Sequence, residues 1–259
     1  MFNELLVRPI LNLLLIFNKL LSVFGIPGAL GFSIIVLTIT IRLLLNPLTK
    51  SQMSSMKKMA GLKPQLDELT KKHGSDKQRL QKEQLKLYQQ AGVNPAAGCL
   101  PALVQIPVFI ALYNVFLQIL GGTNPMQAIE NINKMVYPFL TFIKINSLNL
   151  SFFGADLTLK PNQWKTAGAA LLLIPVVTGL LQFVQTKLTM AGQPPVTTSS
   201  KKDSNDFAKV MQTQTGIILP IMIGFFAYSF PLGLSLYWNT FSVFAIIQQL
   251  QFNKQQGKP

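Results

Sequence analysis

One arginine stands inside an apolar stretch where a charged side chain is costly. Arg42 is the only charged residue within residues 27–48, and no acidic residue in that stretch can neutralise it. A charge at the middle of a bilayer costs at least ~2.5–3.5 kcal/mol, so such residues usually have a function. Thr38 precedes Arg42 by one turn and adds a hydroxyl group to the same helix face. The pattern predicts a water-filled cavity that attracts anionic groups.

The position of Arg42 also allows a second interpretation. Leu48 lies six residues further along, which is roughly 9 Å of helix, so the guanidinium could extend to the membrane surface. Three leucines at residues 43–45 follow Arg42 directly. Because they place it inside the apolar stretch, they favour the cavity.

Other polar side chains in apolar stretches are candidates to line the same cavity. Gln182 and Gln185 are three residues apart and share a helix face, while Gln105 lies between two prolines. Each glutamine could instead make an ordinary bond between helices, worth about 0.6 kcal/mol. Trp238 could instead be an ordinary aromatic side chain at the membrane surface. The predicted cavity set is Thr38, Arg42, Gln105, Gln182, Gln185 and Trp238, with Asn239, Gln248 and Gln249 as further amides.

The chain contains no pattern typical of an enzyme. Its single Cys, Cys99, excludes an internal disulfide, and its single His, His73, argues against a histidine-based metal site or triad. The sequences GxxxxGK[ST], HExxH and GxSxG are absent. No pair of carboxylates falls within the apolar stretches to act as acid and base. We therefore expect neither catalysis nor a cofactor nor a metal.

Composition indicates a membrane protein. The chain of 259 residues has 23 Lys and Arg against 9 Asp and Glu, a net charge of +14, yet only 12% of its residues are charged. Soluble domains have about 25% charged residues, and the mean hydropathy here is +0.36. A nucleic-acid binder with this net charge would carry more charge in total, so we expect no specific nucleic-acid binding. An apolar and basic chain is typical of a multi-pass membrane protein with basic loops.

Five stretches are long and apolar enough to cross a bilayer, for which a helix needs about 20 residues. The predicted fold is therefore all-α, with five transmembrane helices around a hydrophilic groove. The predicted spans are residues 27–48, 96–120, 166–187, 210–230 and 232–252. Residues 121–165 and 188–209 are predicted connecting loops, and residues 253–259 are a short tail.

Residues 1–25 predict an amphipathic helix. At 100° per residue, a polar stripe runs along one side and leucines cover the rest. Such a helix is suited to lying in the headgroup plane. A sixth span and a secretory signal are the alternatives, although the segment lacks a basic start and a small-residue cleavage site. The stripe consists of Glu4, Arg8, Asn12, Lys19 and Ser22.

Residues 49–94 form the charged block, with ten Lys and Arg. Sparse but periodic apolar residues predict a soluble hairpin of two helices, each about 15–20 residues long. Ser75, followed three residues later by Gln78, predicts the cap of the second helix. The candidate partner-binding residues of this block are Lys57, Lys58, Lys63, Lys71 and Lys72.

The distribution of basic residues predicts the orientation. Five alternating spans place the charged block, residues 188–209 and the tail on one side of the membrane. With Lys187, which borders the loop at residues 188–209, this side has 16 of the 23 Lys and Arg. Six lie on the other side and Arg42 lies between. Cytoplasmic loops carry the excess of positive charge. The N-terminus is therefore predicted outside and the C-terminus inside.

Three motifs together resemble the YidC/Oxa/Alb family of membrane protein insertases. They are TITIRLLLNPLT at residues 38–49, NPAAGCLPALVQIP at residues 94–107 and FPLGLSLYW at residues 230–238. The second motif is the most specific. The span order, the basic hairpin and the amphipathic helix also fit, so the resemblance covers nearly the whole chain.

The resemblance implies an insertase that uses no nucleotide and has a groove open to the cytoplasm and to lipid, in a bacterial plasma membrane. It implies that Arg42 is the family's arginine and that Thr38 is a position of the groove. It also implies that Gln182 or Gln185 is a further groove position, and that Trp238 is the aromatic residue that contacts the client. It implies nascent membrane proteins and the bilayer as partners. It further implies action alone or beside the Sec translocon, and contact of the hairpin with the ribosome or the signal recognition particle receptor.

The chain departs from some relatives, and other functions compete. It shows no large outer domain and no lipid-modified N-terminal Cys. Its seven-residue tail has two Lys, which weakens tail-mediated ribosome docking. A small-solute transporter or channel is the main alternative, although inverted repeats and an intramembrane acid are not visible. A chaperone that moves no polar tails is another.

Overall fold

Residues 1–74, 76–94, 100–120, 125–190 and 214–256 are described by a computed structural model of the chain. They are mostly helical, which confirms the all-α prediction. The helices are α1 (Arg8–Val23), α2 (Ala29–Leu44), α3 (Asn46–Gly61), α4 (Lys63–His73), α5 (Lys77–Gln90), α6 (Leu100–Leu120), α7 (Pro125–Met135), α8 (Trp164–Ala167), α9 (Leu173–Met190), α10 (Leu219–Ala227) and α11 (Leu232–Gln256).

Shorter elements occupy the connections. π-helical turns at Asn3–Val7 and Gln214–Ile218 precede α1 and α10, and 3-10 helices form at Pro138–Ile143, Pro161–Gln163 and Ala169–Leu172. Strands β1 (Ser151–Phe152) and β2 (Ala155–Asp156) pair antiparallel, Ser151 opposite Asp156. Cys99 and almost all of the predicted loop at residues 188–209 lie outside the described residues.

The apolar core extends through the helix bundle as far as Tyr237 of α11. It forms where α1, the first part of α2, the middle of α6 and the connection between α6 and α9 meet. Burial of this apolar surface holds these elements together. The fully or almost fully buried core residues include Val7, Leu11, Leu14, Leu30, Ile34, Leu37, Leu112, Phe116, Ile132, Ile143 and Leu157.

A close contact fixes the start of α2 against the β-hairpin. The ring of Phe152 packs over Gly31 so closely that a Cβ atom at Gly31 would overlap it. Phe32 meets the same ring edge to face, with 5.2 Å between ring centroids. The hairpin therefore closes the end of α2 that is opposite to Arg42.

The polar stripe of α1 is partly a packing surface. Asn12 is only 2% exposed. Its side-chain amide donates to the carbonyl oxygens of Arg8 at 2.8 Å and Met135 at 3.0 Å, and its side-chain oxygen accepts from the backbone N–H of Tyr137 at 3.0 Å. Arg8 also donates to Met135 and lies over the ring of Tyr137, 4.7 Å from its centroid. This part of the stripe thus binds protein, not headgroups.

Replacing Asn12 with alanine is expected to destabilise the chain. The change removes three hydrogen bonds and leaves the part-buried backbone N–H of Tyr137 without its partner, which costs about 1–3 kcal/mol. Thermal unfolding of the purified protein in detergent should show a lower midpoint for Asn12→Ala. Asn18→Ala is the matched control, because Asn18 lies in the same helix without a hydrogen bond of its side chain. Equal midpoints for both variants would contradict the role of Asn12.

The helix of the predicted span at residues 27–48 bends near its end. The axis bends by 59° between α2 and α3 at Leu45. Pro47 lies at the start of α3, where its missing N–H and its ring prevent a straight continuation of α2. Arg42 therefore lies in the last turn of α2, beside the bend.

The charged block contains three helices instead of the predicted two. α3 ends at Gly61, and Pro64 begins the next helix after the break at Leu62. α4 and α5 form the hairpin, which touches the rest of the described chain mainly through α3. Ser75, the predicted cap, lies outside the described residues, and Asp76 caps α5 by accepting from the backbone N–H of Arg79 at 3.0 Å. An aspartate at the cap also complements the positive helix N-terminus.

The three apolar helices of the C-terminal half pack side by side. α9 lies against both α10 and α11, and α11 also packs against α2. Gly179 and Gly224 allow α9 and α10 to approach closely, since a Cβ at Gly224 would lie 3.4 Å from the Cα of Gly179. Small residues are typical of helix contacts inside membranes.

Length and hydropathy identify fewer spans than the sequence predicted. Among the described residues, Asn3–Val23 and Ala169–Met190 are long and apolar enough to cross a membrane, and the bent pair α2 and α3 is a third candidate. Gln105–Ile119 and Gly216–Ala227 are shorter apolar helices. The arrangement of five spans stays a prediction. The alternative of a span near the N-terminus stays open.

Candidate functional site: a cavity around Arg42

Arg42 is held by the last helix of the chain. Its guanidinium stacks on the ring of Phe241, 3.5 Å from the centroid, and donates to the carbonyl oxygen of the same residue at 3.2 Å. A longer bond of 3.4 Å reaches the side-chain oxygen of Gln248. Arg42 is 8% exposed and takes part in neither ion pair of the described residues. The side chain thus lies inside the helix bundle with its charge uncompensated.

A partly enclosed cavity of about 130 Å³ lies beside this guanidinium. Such a volume is large enough for several water molecules. α2, α3, α6, α9 and α11 all contribute to its wall, and Arg42 is the only charged residue in the lining. The lining residues are Thr38, Ile41, Arg42, Leu45, Leu48, Thr49, Gln52, Met53, Met56, Gln105, Val108, Gln185, Thr189, Tyr237, Phe241, Ala245 and Gln249.

Three lining residues carry buried polar atoms without a partner. They are the Nε of Arg42, the Nε2 of Gln52 and the Oε1 of Gln185. Buried polar groups are almost always hydrogen-bonded to protein or to ordered water. Because these three atoms belong to one cavity wall, the cavity has the donors and acceptors to hold water or a polar chain.

Four of the six predicted cavity residues line this cavity. Thr38 and Arg42 come from α2, Gln105 from α6 and Gln185 from α9. The hydroxyl of Thr38 donates to the carbonyl oxygen of Ile34 at 2.6 Å, so it presents its oxygen as an acceptor. Gln105 donates to the phenol oxygen of buried Tyr237. The helix packing therefore brings together residues that are far apart in sequence.

Gln182 and Trp238 lie outside the cavity lining. The indole N–H of Trp238 donates to the side-chain oxygen of Gln182 at 3.0 Å, and Gln182 donates in turn to Thr186 at 3.1 Å. Phe109 meets the indole edge to face, with 5.3 Å between centroids. Of the two predicted glutamines, Gln185 therefore faces the cavity. Gln182 makes an ordinary hydrogen bond between helices, which was the alternative interpretation of each glutamine.

Most of the cavity wall was not selected from the sequence, including Tyr237, Phe241 and Gln52. Tyr237 and Phe241 lie four residues apart on α11 with Ala245 and Gln249 following at the same interval, so the four share one face. That spacing was visible in the sequence, but apolar and aromatic residues gave no reason to select them. Gln52 was assigned to the soluble hairpin, because the bend at Leu45 was not predicted.

The candidate partner-binding lysines lie on α3 and α4. Lys57, Lys58, Lys71 and Lys72 are exposed, and Lys63 is half-buried at the start of α4. They extend from the cavity end of α3 to the tip of the hairpin. The described residues contain no cluster of three His, Cys, Asp or Glu that could hold a metal ion.

Comparisons with known proteins place this fold in a family. Residues 22–258 match the model of the 60Kd inner membrane protein family. The chain is 33% identical over 228 residues to the membrane protein insertase YidC of Oceanobacillus iheyensis, covering 86% of this chain and 74% of that protein. It is 36% identical over 239 residues to YidC of Dechloromonas aromatica, covering 92% and 35%.

A chloroplast protein is similar to the same extent. ALBINO3-like protein 1 of Chlamydomonas reinhardtii is 34% identical over 238 residues, which cover 90% of this chain and 46% of that protein. The chain thus spans less than half the length of two of these three relatives. The matched region includes Arg42 and every described residue of its cavity. The resemblance found in the motifs is confirmed, and the chain belongs to the 60Kd inner membrane protein family, the YidC/Oxa/Alb insertases.

Proposed function

We propose that the chain is a membrane protein insertase that accepts short polar segments of client proteins in the cavity around Arg42. The observation that carries this proposal is the buried, unpaired guanidinium beside unpartnered polar atoms of Gln52 and Gln185. The names of the relatives, YidC and ALBINO3-like, support the same activity. The proposed setting is a bacterial plasma membrane crossed five times, with the C-terminus in the cytoplasm.

The proposed mechanism follows from the cost of desolvation. A client's polar tail loses the hydrogen bonds of its backbone and charges to water when it enters hydrocarbon. A water-holding cavity that reaches part of the way through the bundle shortens the dry path. Arg42 attracts acidic tails, because its charge acts in a medium of low dielectric constant. The client's apolar segment then moves sideways into lipid, and its burial drives the process.

The apolar core supports a cavity closed towards the outside. Leu37 is 1% exposed and belongs to this core, whereas Thr38 belongs to the cavity wall. The boundary between cavity and core therefore lies within one turn of α2. A client tail must displace or bypass this core to cross the membrane completely. In the proposed mechanism this step follows the entry of the tail from bulk water into the cavity.

Trp238 and the basic hairpin have separate proposed roles. Trp238 is half-buried between α9 and α6, and it would contact the apolar part of a passing client. Lys57, Lys58, Lys63, Lys71 and Lys72 would contact a ribosome or a targeting receptor. A joint action with the Sec translocon belongs to the same proposal.

Reconstitution tests the function directly. Purified chain in protein-free liposomes should insert a small single-span client with an acidic tail, without nucleotide. Protease added outside should then leave a protected fragment only in liposomes that contain the chain. Conduction of a small solute without insertion would establish the transporter alternative. Client solubilisation without protection of the tail would establish a chaperone that moves no polar segment.

A further inference from the structure

A second cavity opens where the end of α11 meets the start of α3. Its volume is about 110 Å³. No acidic residue is in its lining, and its one charged group is Lys50. The lining residues are Leu43, Asn46, Thr49, Lys50, Met53, Phe244, Gln248, Gln251, Phe252 and Gln255.

The polarity of this cavity changes along α11. By position in the helices, Leu43 and Phe244 come first, Asn46 and Gln248 follow, and Lys50, Gln251 and Gln255 come last, together with apolar Met53 and Phe252. Gln248 donates to the side-chain oxygen of Asn46 at 3.1 Å. That bond leaves the amide N–H groups of Asn46 free to donate.

Exposed apolar residues flank the apolar end. Leu43 and Leu44 are 56% and 72% exposed on α2, and Ile247 and Leu250 are 45% and 51% exposed on α11. Large exposed apolar side chains beside a polar pocket are typical of a surface that meets a membrane. Basic pockets between membrane helices bind anionic lipid headgroups.

We propose that this cavity binds the headgroup of an anionic phospholipid from the cytoplasmic leaflet. The phosphate would accept from the Lys50 ammonium and the amides of Asn46, Gln251 and Gln255, while the acyl chains lie along Leu43 and the exposed face of α11. The lining offers apolar contacts for acyl chains and donors for a phosphate in one cavity. This proposal rests on the proposed function, in which α2 crosses the membrane and the chain that follows it lies on the cytoplasmic side.

The site adjoins the Arg42 cavity without being part of it. Gln248 accepts from Arg42 and donates to Asn46, and Thr49 and Met53 contribute to both linings. A bound lipid would therefore lie next to the cavity proposed for the client.

Native mass spectrometry of the full chain in detergent tests the proposal. Phosphatidylglycerol should bind more tightly than zwitterionic phosphatidylcholine with the same acyl chains. Lys50→Gln should reduce this preference by about fivefold, since one basic side chain contributes about 1 kcal/mol to binding an anionic lipid surface. Lys82→Gln is the matched control, because Lys82 is an exposed residue of α5 remote from the cavity and should leave the preference unchanged.

A second measurement does not depend on a variant. Photoactivatable phosphatidylglycerol in nanodiscs should crosslink to peptides that contain residues 43–53 and 244–255. Equal binding of the two lipids, equal effects of the two lysine variants, or crosslinks elsewhere would overturn the proposal. Displacement of the lipid by millimolar inorganic phosphate would identify free phosphate as the ligand and also overturn it. No client is present in either measurement, so these outcomes leave the insertase proposal standing.

Discussion

Removal of the charge at Arg42 should lower the insertion of an acidic-tailed client by about tenfold to thirtyfold, since two unit charges ~8 Å apart interact by about 2 kcal/mol at an effective dielectric constant near 20. The variant to use is Arg42→Gln, because an amide keeps a donor for the carbonyl of Phe241. Arg42→Ala should lose at least as much activity. Arg42→Lys, which keeps the charge, should retain most of it. Protease protection in liposomes measures each rate.

The client provides the decisive control for Arg42. A client whose tail has neutral residues in place of its acidic ones should be inserted equally well by the wild type and by Arg42→Gln. Arg79→Ala also removes one positive charge, but from an exposed residue of α5. It should have no effect on the insertion of either client. If Arg42→Gln slows both clients equally, or inserts the acidic one at the wild-type rate, attraction by Arg42 is not the mechanism. The unfolding midpoint of each variant shows whether its fold is intact.

Deletion of α4 and α5 should stop insertion in cells and spare it in liposomes. The deletion must leave α3 in place, because α3 contributes Thr49, Gln52 and Met56 to the cavity wall. Removal of residues 50–90 would therefore open the cavity itself. A short Gly-Ser linker in place of residues 63–90 keeps α3 and removes only the hairpin. Loss of 1.4 kcal/mol of docking free energy lowers partner affinity about tenfold, so delivery should fall by that factor or more.

Two measurements separate delivery from insertion in this variant. Complementation of insertase-depleted cells measures delivery, and protease protection in liposomes with added client measures insertion alone. A full-length variant with Lys63, Lys71 and Lys72 changed to Gln should reproduce the loss in cells if their charge is responsible. Unchanged complementation by the deletion variant would refute a delivery role of the hairpin. Lost insertion in liposomes would show that α4 and α5 belong to the insertion machinery.

Local patterns were sufficient where neighbouring residues decide the structure. The helical class, the helices of the charged block and the break near Gly74 all follow from hydropathy and turn residues close in sequence. The bend at Leu45 also has a local cause in Pro47. It was missed because an apolar run continued through it, and hydropathy does not record the direction of a helix axis.

The sequence by itself determined that Arg42 is an isolated charge among apolar residues, that the chain belongs with membrane insertases, and that glutamines of distant helices were available to accompany it. Only the tertiary structure decided which of these glutamines lie in the cavity beside Arg42. Gln185 faces the cavity and Gln182 binds Trp238, although the two glutamines share a helix face. Phe241 and Gln52 became neighbours of Arg42 through the packing of α11 and the turn of α3. Helix periodicity gives the direction of a side chain around its own axis, whereas the neighbour it meets depends on rotations and crossing positions set by the packing of all helices together.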